Sequence, residues 1–323
     1  MKVITKAALF NYQIPFVKAI NFNGHLLKHR HGLILQLQNN YGDCHYGEIA
    51  PLPGFSRETF SQAKQQIISC LNKGVSDLSA RENLYASVNF GLDSALQRLS
   101  THESSQNMDP IPLLQGDNIA LIEQYKKLNH PAQVKLKVAR QPIENDIYLF
   151  NQLVSLNPEI MIRCDANQQW SYQQAEFFFN SINREHLEYV EEPTENHKIN
   201  IQLAEKNKIY LGLDETLQDL DFNYQAHGCI KALVLKPTLI GSLNRVERFI
   251  ELAVQHKLQV HISSSFESVV GLQQLIALTN IYQRRCSLSL GIDTLKYFQT
   301  SILTNPLHIT QDIKKLECIW KSY

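Results

Sequence analysis

The sequence predicts an α/β protein in which a parallel (β/α) barrel follows a smaller N-terminal α+β domain. Five short hydrophobic runs end in charged residues, at Lys137, Asp165, Glu191, Asp214 and Lys236. The intervals between these positions, 28, 26, 23 and 22 residues, each fit one strand, one helix and two loops of a barrel. From about residue 111 onward, strand-like and helix-like segments alternate, which is the pattern of a parallel sheet.

The first 100 or so residues differ from this alternation and indicate the α+β domain. Strand-like segments span 2–12 and 32–38, and the turn residues NNYGD that follow suggest a hairpin. The helical spacing of apolar residues then predicts two helices, over 56–71 and over 86–99. Ser56 is the expected N-cap of the first helix because its hydroxyl can accept from the first free N–H groups.

The barrel elements follow in order after a first strand, IPLLQ, at 111–115. Helices are predicted over 120–128, 144–156 and 242–257, the last capped by Ser242 and apolar on one face. Counting IPLLQ as the first, we expect eight strands. The later seven end near Lys137, Asp165, Glu191, Asp214, Lys236, Ser263 and Asp293.

Composition and charge exclude several classes of protein. The 323 residues are 44% hydrophobic, enough for a large core, and 31 Lys plus Arg balance 31 Asp plus Glu. This balance leaves no global field that attracts nucleic acid or an anionic membrane. We expect neither a membrane helix nor a secretory leader. The six cysteines are scattered singly, which favours reduced thiols and therefore a cytoplasmic protein.

The acidic strand ends predict a metal site at the mouth of the barrel. The C-terminal ends of parallel barrel strands converge, so Asp165, Glu191 and Asp214 are expected to face one another. Carboxylates held close together repel unless a cation neutralises them, which makes a hard divalent metal their natural occupant. Each acid taken alone could instead cap a helix.

Lysines flank these acids in the predicted barrel. Lys135 and Lys137 point to the same face of one strand because side chains alternate with a period of two. Two close ammonium groups depress each other's basicity, so one of them can act as a neutral base near pH 7. Lys236 ends a strand on the opposite side. The alternatives are a solvated surface pair for the first two, and an ion pair or phosphate contact for the third.

The order of these strand-end residues resembles the enolase superfamily, whose members carry metal carboxylates on the third, fourth and fifth barrel strands. A KxK lysine on strand two and a KPT lysine on strand six resemble its muconate-lactonizing subgroup. Further motifs that agree are GEIAPLPGFSRETF, ASVNFGLDSAL, KPTLIGSL, ISSSFES and GIDT. The resemblance implies a (β/α)7β TIM-like barrel over 106–302 and a capping domain with substrate-specificity loops over 1–105. The segment 303–323 is expected to pack back on the capping domain.

The resemblance also implies roles for individual residues. Lys137 matches the lysine that acts first as base and then as acid, and Lys236 matches a cationic lysine on the other face. The residues that match the Mg²⁺ ligands are Asp165, Glu191 and Asp214, and Mn²⁺ is expected to substitute. Positions expected near the substrate are Lys135, Arg163, Ser263, Gly291 and Arg30. One departure from the family pattern is Ala139, where relatives are expected to carry glycine. The loop after this strand is therefore expected to differ in geometry from that of relatives, without an effect on Lys137.

The activity that the resemblance implies is a Mg²⁺-dependent dehydration. A lysine removes the proton next to a carboxylate, an enediolate forms, and the same lysine returns the proton to the departing hydroxide. The implied substrate is a cyclohexadiene carboxylate bearing a succinyl group, which becomes aromatic in menaquinone biosynthesis. Racemisation of an N-acylamino acid and epimerisation of a dipeptide use the same lysine pair and stay open.

A basic segment at 21–32, NFNGHLLKHRHG, is expected to form a flexible lid. Its histidine spacing matches no common zinc site. Lys28 or Arg30 could attract the succinyl carboxylate of the implied substrate, and a plain solvated loop is the alternative. Phe55 and Leu52 could pack against the substrate ring or form local core.

Two other classes of protein are less consistent with these residues. A Schiff-base aldolase using Lys236 would have no use for three strand-end acids. A non-catalytic interaction protein would not need the complete set of acids and lysines. The expected partner is a small-molecule carboxylate, with no nucleic acid and no membrane, and a monomer is compatible with this function.

Overall fold

The computed structural model describes residues 3–75, 78, 83–97, 111–114, 116, 118–303 and 309–322. The expected domain boundary at 105/106 and the end of the strand IPLLQ at Gln115 lie outside these residues. The chain divides into two compact units. The first comprises Met1–Met108, Leu235–Leu252 and Ile262–Tyr323, and the second comprises Asp109–Val234 and Ala253–His261.

The first unit contains a four-stranded antiparallel sheet. Its strands are β1 (Ile4–Phe22), β2 (His25–Asn39), β3 (Cys44–Ile49) and β12 (Glu317–Lys321), in the spatial order β12-β1-β2-β3. The C-terminal strand pairs with β1, with Ala8 opposite Lys321. The hairpin predicted at NNYGD joins β2 and β3.

The basic segment at 21–32 belongs to a second hairpin. Strands β1 and β2 pair up to Phe22 opposite His25, and the turn between them is Asn23–Gly24. Both turn residues have positive φ, +48° and +88°, which asparagine and glycine tolerate best and which suits a tight two-residue hairpin. Most of the residues expected to form a flexible lid therefore lie in the paired strands of this hairpin.

Helices α1 (Phe60–Asn72) and α2 (Ala86–Gln97) follow the sheet in the first unit. The N-cap of α1 is Thr59, whose hydroxyl accepts from the Gln62 N–H while the Gln62 side chain accepts from the Thr59 N–H. The prediction of Ser56 as the cap was wrong. The Ser56 hydroxyl accepts from the Leu52 N–H instead and closes the turn before the helix.

Two apolar clusters hold the first unit together, one on each face of its sheet. The cluster against α1 and α2 includes Leu9, Leu33 and Ile67. The cluster on the opposite face includes Phe10 and Phe298. Alternation along β1 and β2 sends successive side chains into the two clusters, so both faces of these strands are buried.

The second sheet has eight strands in sequence order: β4 (Leu113–Leu114), β5 (Gln133–Lys137), β6 (Met161–Asp165), β7 (Leu187–Glu191), β8 (Leu211–Leu213), β9 (Ile230–Leu235), β10 (Gln259–Ser263) and β11 (Leu288–Gly291). The pairings from β4 through β9 are parallel. This order and direction confirm the predicted barrel fold.

Helices alternate with these strands as predicted. They are α3 (Asn118–Lys127), α4 (Ile143–Leu156), α5 (Tyr172–Ser181), α6 (His197–Asn207), α7 (Pro237–Ile240), α8 (Leu243–His256), α9 (Val269–Tyr282) and α10 (Ile309–Ile313). The Ser242 hydroxyl accepts from the Arg245 N–H and caps α8, as predicted. The longest helices in the described chain have 14 residues, short of the roughly 20 that cross a bilayer.

Candidate active site

Three acids come together at consecutive strand ends of the second unit. Asp165 ends β6, Glu191 ends β7, and Asp214 directly follows β8. The parallel register places Asp165 beside Glu191 on neighbouring strands. One carboxylate oxygen from each residue lies within 4.8 Å of the others, and each residue is only 1% exposed. The structure therefore groups the three acids that the strand spacing predicted to face one another.

Two lysines of β5 contact this group of acids. The Lys137 ammonium donates to Asp165 Oδ2 at 2.6 Å and to Asn167 Oδ1 at 2.7 Å. The Lys135 ammonium contacts Asp165 Oδ2 at 2.8 Å and Glu191 Oε2 at 2.5 Å. Lys135 thus contacts two acids, and the Lys137 ammonium contacts both an acid and a neutral amide.

Burial and neighbouring charges shift the pKa values of this group in defined directions. Burial alone would lower the pKa of Lys135, but Asp165, Glu191 and Asp214 together raise it well above its ordinary value. Burial raises the pKa of Glu191 to about 7, and the neighbouring acids add to this while Lys135 opposes it. Lys135 is therefore held as an ammonium group, and Glu191 is costly to keep ionised without further positive charge.

Neighbouring polar groups fix the orientation of the acids. Glu192, 1% exposed, accepts from the Asp214 N–H at 2.9 Å and from the N–H and hydroxyl of Thr216. The Asn167 N–H donates to Asp165 Oδ1 at 3.1 Å. No sequence pattern predicted a role for Glu192 or Asn167. Their adjacency to predicted site acids was the available signal.

Arg163 lies in a buried polar layer of the same unit. Its guanidinium donates to Glu188 Oε2 at 2.7 Å, lies 5.3 Å from the Tyr189 ring centroid and approaches His261 at 3.4 Å. Burial, with Arg163 and Lys135 nearby, lowers the pKa of His261 to about 3, so its imidazole is neutral. The family resemblance predicts Arg163 near the substrate, but Glu188, Tyr189 and His261 carry no distinctive spacing and were not predicted.

Ala139, two residues beyond Lys137, has a positive φ of +61°. Its N–H donates to Asp146 Oδ2 at 2.7 Å, and burial raises the pKa of this acid to about 6. An L-residue with a Cβ is strained in the left-handed region, whereas glycine is not. This gives a physical reason why glycine is expected here.

The remaining predicted site residues belong to the first unit. The Lys236 ammonium lies 5.8 Å from the centroid of the Phe55 ring. The Ser264 N–H donates to the carbonyl of Gly291 at 2.9 Å, and a Cβ at Gly291 would lie 3.1 Å from the Ser263 hydroxyl. Ser263 and Gly291 are thus adjacent on neighbouring strand ends.

Arg30 is buried, at 1% exposure, and its five guanidinium N–H groups have five backbone carbonyls as acceptors. These carbonyls belong to His31, Ala50, Pro51, Ser265 and Phe266. A guanidinium with all its donors engaged in the protein is not placed to attract a substrate carboxylate. The geometry favours a structural role for Arg30 over the expected role in binding.

The acid group of the second unit fits a hard divalent cation. Its donors are carboxylate oxygens, which Mg²⁺ prefers, and they are buried and close enough to converge on one ion. Two ammonium groups offset part of the charge of three carboxylates. The residues that could hold the ion are Asp165, Glu191 and Asp214.

Comparison with protein families agrees with this fold and site. Residues 4–99 match the family model described as MenC, N-terminal domain, and residues 119–312 match the model described as Enolase C-terminal domain-like. The second match covers most of the barrel, including the acid group. The fold and the site together define an enolase-like barrel protein.

Individual relatives show to which family within this class the chain belongs. The o-succinylbenzoate synthase of Pasteurella multocida (strain Pm70) is 33% identical over 317 residues, which cover 94% of this chain and 93% of the relative. A crystal structure of o-succinylbenzoate synthase from Thermosynechococcus elongatus BP-1, complexed with Mg in the active site, superposes with a TM-score of 0.79 at 21% identity, covering 96% of this chain and 99% of that one. The chain belongs to the o-succinylbenzoate synthase family of the enolase superfamily.

A second solved structure is that of an epimerase. The L-Ala-D/L-Glu epimerase of Bacillus subtilis superposes with a TM-score of 0.75 at 15% identity, covering 94% of this chain and 92% of that one. At this identity the likeness shows the fold alone. It does not favour racemisation or epimerisation.

Proposed function

We propose that this protein catalyses the Mg²⁺-dependent dehydration of 2-succinyl-6-hydroxy-2,4-cyclohexadiene-1-carboxylate to 2-succinylbenzoate in menaquinone biosynthesis. The observation that carries this proposal is the contact of the Lys137 ammonium with Asp165, inside a group of three buried strand-end acids. An amine beside a group of metal-binding acids can exchange a proton with a substrate bound at the same place. The names of the curated relatives support the choice of substrate.

We assign the metal to Asp165, Glu191 and Asp214, with Mg²⁺ as the physiological ion and Mn²⁺ able to replace it. When bound, this ion would stabilise the negative charge that develops on the substrate carboxylate in the transition state. Lys135, held between Asp165 and Glu191, keeps two of the ligands in place and adds a fixed positive charge.

Lys137 carries the proton in the proposed reaction. Its neutral amine takes the proton from the carbon next to the carboxylate, and the electron pair of that C–H bond moves into an enediolate. The enediolate then expels hydroxide from the ring, and the Lys137 ammonium returns its proton to form water on the same face. Aromatisation of the ring makes this elimination favourable. Lys236 remains cationic and stabilises the enediolate, while Arg163, Ser263 and Gly291 contribute to substrate binding.

The protein is proposed to act in the cytoplasm on a small-molecule carboxylate. None of the six cysteines, all within the described chain, forms a disulfide, which is consistent with a reducing compartment. A monomer is compatible with this proposed activity.

The decisive experiment measures 2-succinylbenzoate formation by the purified protein with and without Mg²⁺. Lys137→Ala is expected to lower kcat by at least about 10³-fold, because one group serves as both base and acid. Lys126→Ala, which removes an exposed lysine of α3, is the matched control and should retain full activity. Wild-type protein that forms no product would refute the function, and a Lys137→Ala variant with more than a tenth of wild-type activity would refute the assigned base.

A further inference from the structure

Glu267 lies between β10 and α9 in the first unit and is 1% exposed. Its Oε1 accepts from the Thr238 hydroxyl at 2.5 Å. Its Oε2 accepts from the Ser264 hydroxyl at 2.7 Å and from the Ser265 N–H at 2.6 Å. One buried carboxylate therefore has three neutral donors, which satisfy it without a cation.

These bonds connect segments that follow three strands. Thr238 lies in α7, two residues beyond Lys236, and is itself 1% exposed. Ser264 directly follows Ser263, and its hydroxyl is 2.9 Å from that of Thr294, three residues beyond Gly291. Glu267 thus links the ends of β9, β10 and β11.

Glu267 packs closely against the start of α9 and lies near a second buried acid, Glu48. A Cβ added at Gly271 would lie 2.6 Å from Glu267 Cβ and 2.9 Å from Glu48 Oε2, so only glycine leaves room for both acids. Glu48 in turn accepts from the Ser268 N–H and the Gly271 N–H, both at 2.7 Å. The chain around the start of α9 is therefore bonded to two buried acids: Ser265 donates to Glu267, and Ser268 and Gly271 donate to Glu48.

We propose that Glu267 is a positioning residue for Lys236, acting through the hydroxyl of Thr238. This inference rests on the proposed function, since it assumes that the Lys236 ammonium stabilises the enediolate. Lys236 is the N-cap of α7, and its carbonyl accepts from the N–H groups of Leu239 and Ile240. Fixing Thr238 therefore fixes the backbone that carries Lys236. A displacement of about 1 Å in a catalytic group can cost about 10²-fold in rate.

Variants of Thr238 test this inference. Thr238→Val keeps the side-chain shape but removes the donor to Glu267, and is expected to lower kcat by about 10-fold to 100-fold with KM changed by less than about threefold. Thr238→Ser restores the donor and should recover most of kcat. Thr279→Val is the matched control, because it also removes a buried threonine hydroxyl of the first unit, one that donates to the Leu275 carbonyl within α9. It should leave kcat unchanged.

A second variant examines the link itself. Glu267→Gln leaves one oxygen acceptor in place of two, so it too should lower kcat. If Thr238 and Glu267 act together, the double variant is no slower than the worse single variant. If the fold-loss of kcat in the double variant equals the product of the fold-losses in the two single variants, the inference is overturned.

Hydrogen exchange gives a readout that is independent of turnover. The Ser265 amide, which donates to Glu267, and the amides of α7 should exchange faster in Thr238→Val than in Thr279→Val. Equal exchange in the two variants, or full kcat in Thr238→Val, would overturn the positioning role while the proposed function stands. A wild-type protein without 2-succinylbenzoate formation would instead refute the proposed function, and exchange would still show whether the link exists.

Discussion

Two groups of buried acids, one in each compact unit, are satisfied in opposite ways. In the second unit Asp165, Glu191 and Asp214 lie within 4.8 Å of one another and meet the ammonium groups of β5. In the first unit Glu48 and Glu267, equally buried, accept from hydroxyl and N–H groups. Hydrogen bonds from neutral donors stabilise a single buried carboxylate, whereas carboxylates that lie close together repel one another unless a cation is bound near them. The clustered acids of the second unit are therefore suited to metal binding, and the acids of the first unit, with their neutral donors, are suited to a structural role.

The cations near these acids, partly buried in the second unit and buried in the first, follow the same division. Lys135 and Lys137 face acids in the second unit, whereas Arg30 in the first unit faces backbone carbonyls. A cation among carbonyls has a fixed structural task, because its partners cannot change charge. A cation among acids responds to any ion or substrate that alters their charge. Burial alone therefore does not identify a functional charge; the kind of partner does.

The sharpest test of this contrast is Glu191→Gln. It removes one charged ligand from the acid group, so Mg²⁺ affinity and kcat are each expected to fall by more than about 100-fold. Stability without metal should change little, because the variant also relieves repulsion among buried acids. Titration of activity with Mg²⁺ and urea denaturation in EDTA measure the two effects. Unchanged Mg²⁺ dependence would remove Glu191 from the metal site.

Arg30→Met tests the buried cation of the first unit. It leaves five backbone carbonyls without their donor, so the free energy of unfolding should fall by about 3–5 kcal/mol. KM should remain within twofold, because the guanidinium has no N–H to spare for substrate. Lys6→Met, at an exposed position on β1 outside the 21–32 segment, is the control. A tenfold rise in KM at unchanged stability would restore a substrate role for Arg30.

Glu48→Gln makes the same chemical change as Glu191→Gln in the other group of acids. The carboxylate of Glu48 accepts hydrogen bonds from Tyr12, Ser268 and Gly271. In the glutamine variant, the NH2 group replaces one of the accepting oxygens, so a donor would lie against another donor. We expect a loss of about 2–3 kcal/mol in stability. The kcat of the folded protein at saturating Mg²⁺ should stay within threefold of wild type. A loss of Mg²⁺ dependence here would contradict the distinction between the two groups.

The barrel and its acids were predictable because each depends on a repeating pattern. Strand spacing fixed which residues end neighbouring strands, and parallel strand ends must converge. The predicted eight-strand order was confirmed for this reason. The predicted cap at Ser242 was also confirmed. The prediction of Ser56 as a cap failed because two hydroxyl residues lie close together, and only Thr59 has a glutamine three positions later that completes a capping box.

The first unit resisted prediction because its interactions are not periodic. The sequence HLLKHRHG shows charge, but it does not show that five carbonyls from three chain segments converge on Arg30. Glu48 and Glu267 are single acids whose donors lie up to 223 positions away. A local signal existed for Glu267 alone, since Ser264 and Ser265 precede it at the spacing of a side-chain turn.

The smallest expected effect concerns His261, a neutral base in the buried layer of the second unit. Its pKa is lowered to about 3, whereas an unfolded histidine titrates near 6.5, so between these values the unfolded state binds one proton more. Stability therefore falls as the pH drops through this window and is fully present above it. Arg163, Lys135 and Tyr189 lie near His261, and none of these three groups gains or loses a proton in this window.

His261→Gln removes this titration while keeping a neutral polar side chain. Between pH 6 and pH 5 the slope of unfolding free energy against pH should be smaller in the variant by up to about 1 kcal/mol per unit. Other groups that titrate in this range, including Asp146 and Glu191, are common to both proteins and cancel in the difference. Urea denaturation at closely spaced pH values measures it. Equal slopes would mean that His261 is protonated in the folded state, and that the buried layer tolerates a second cation beside Arg163.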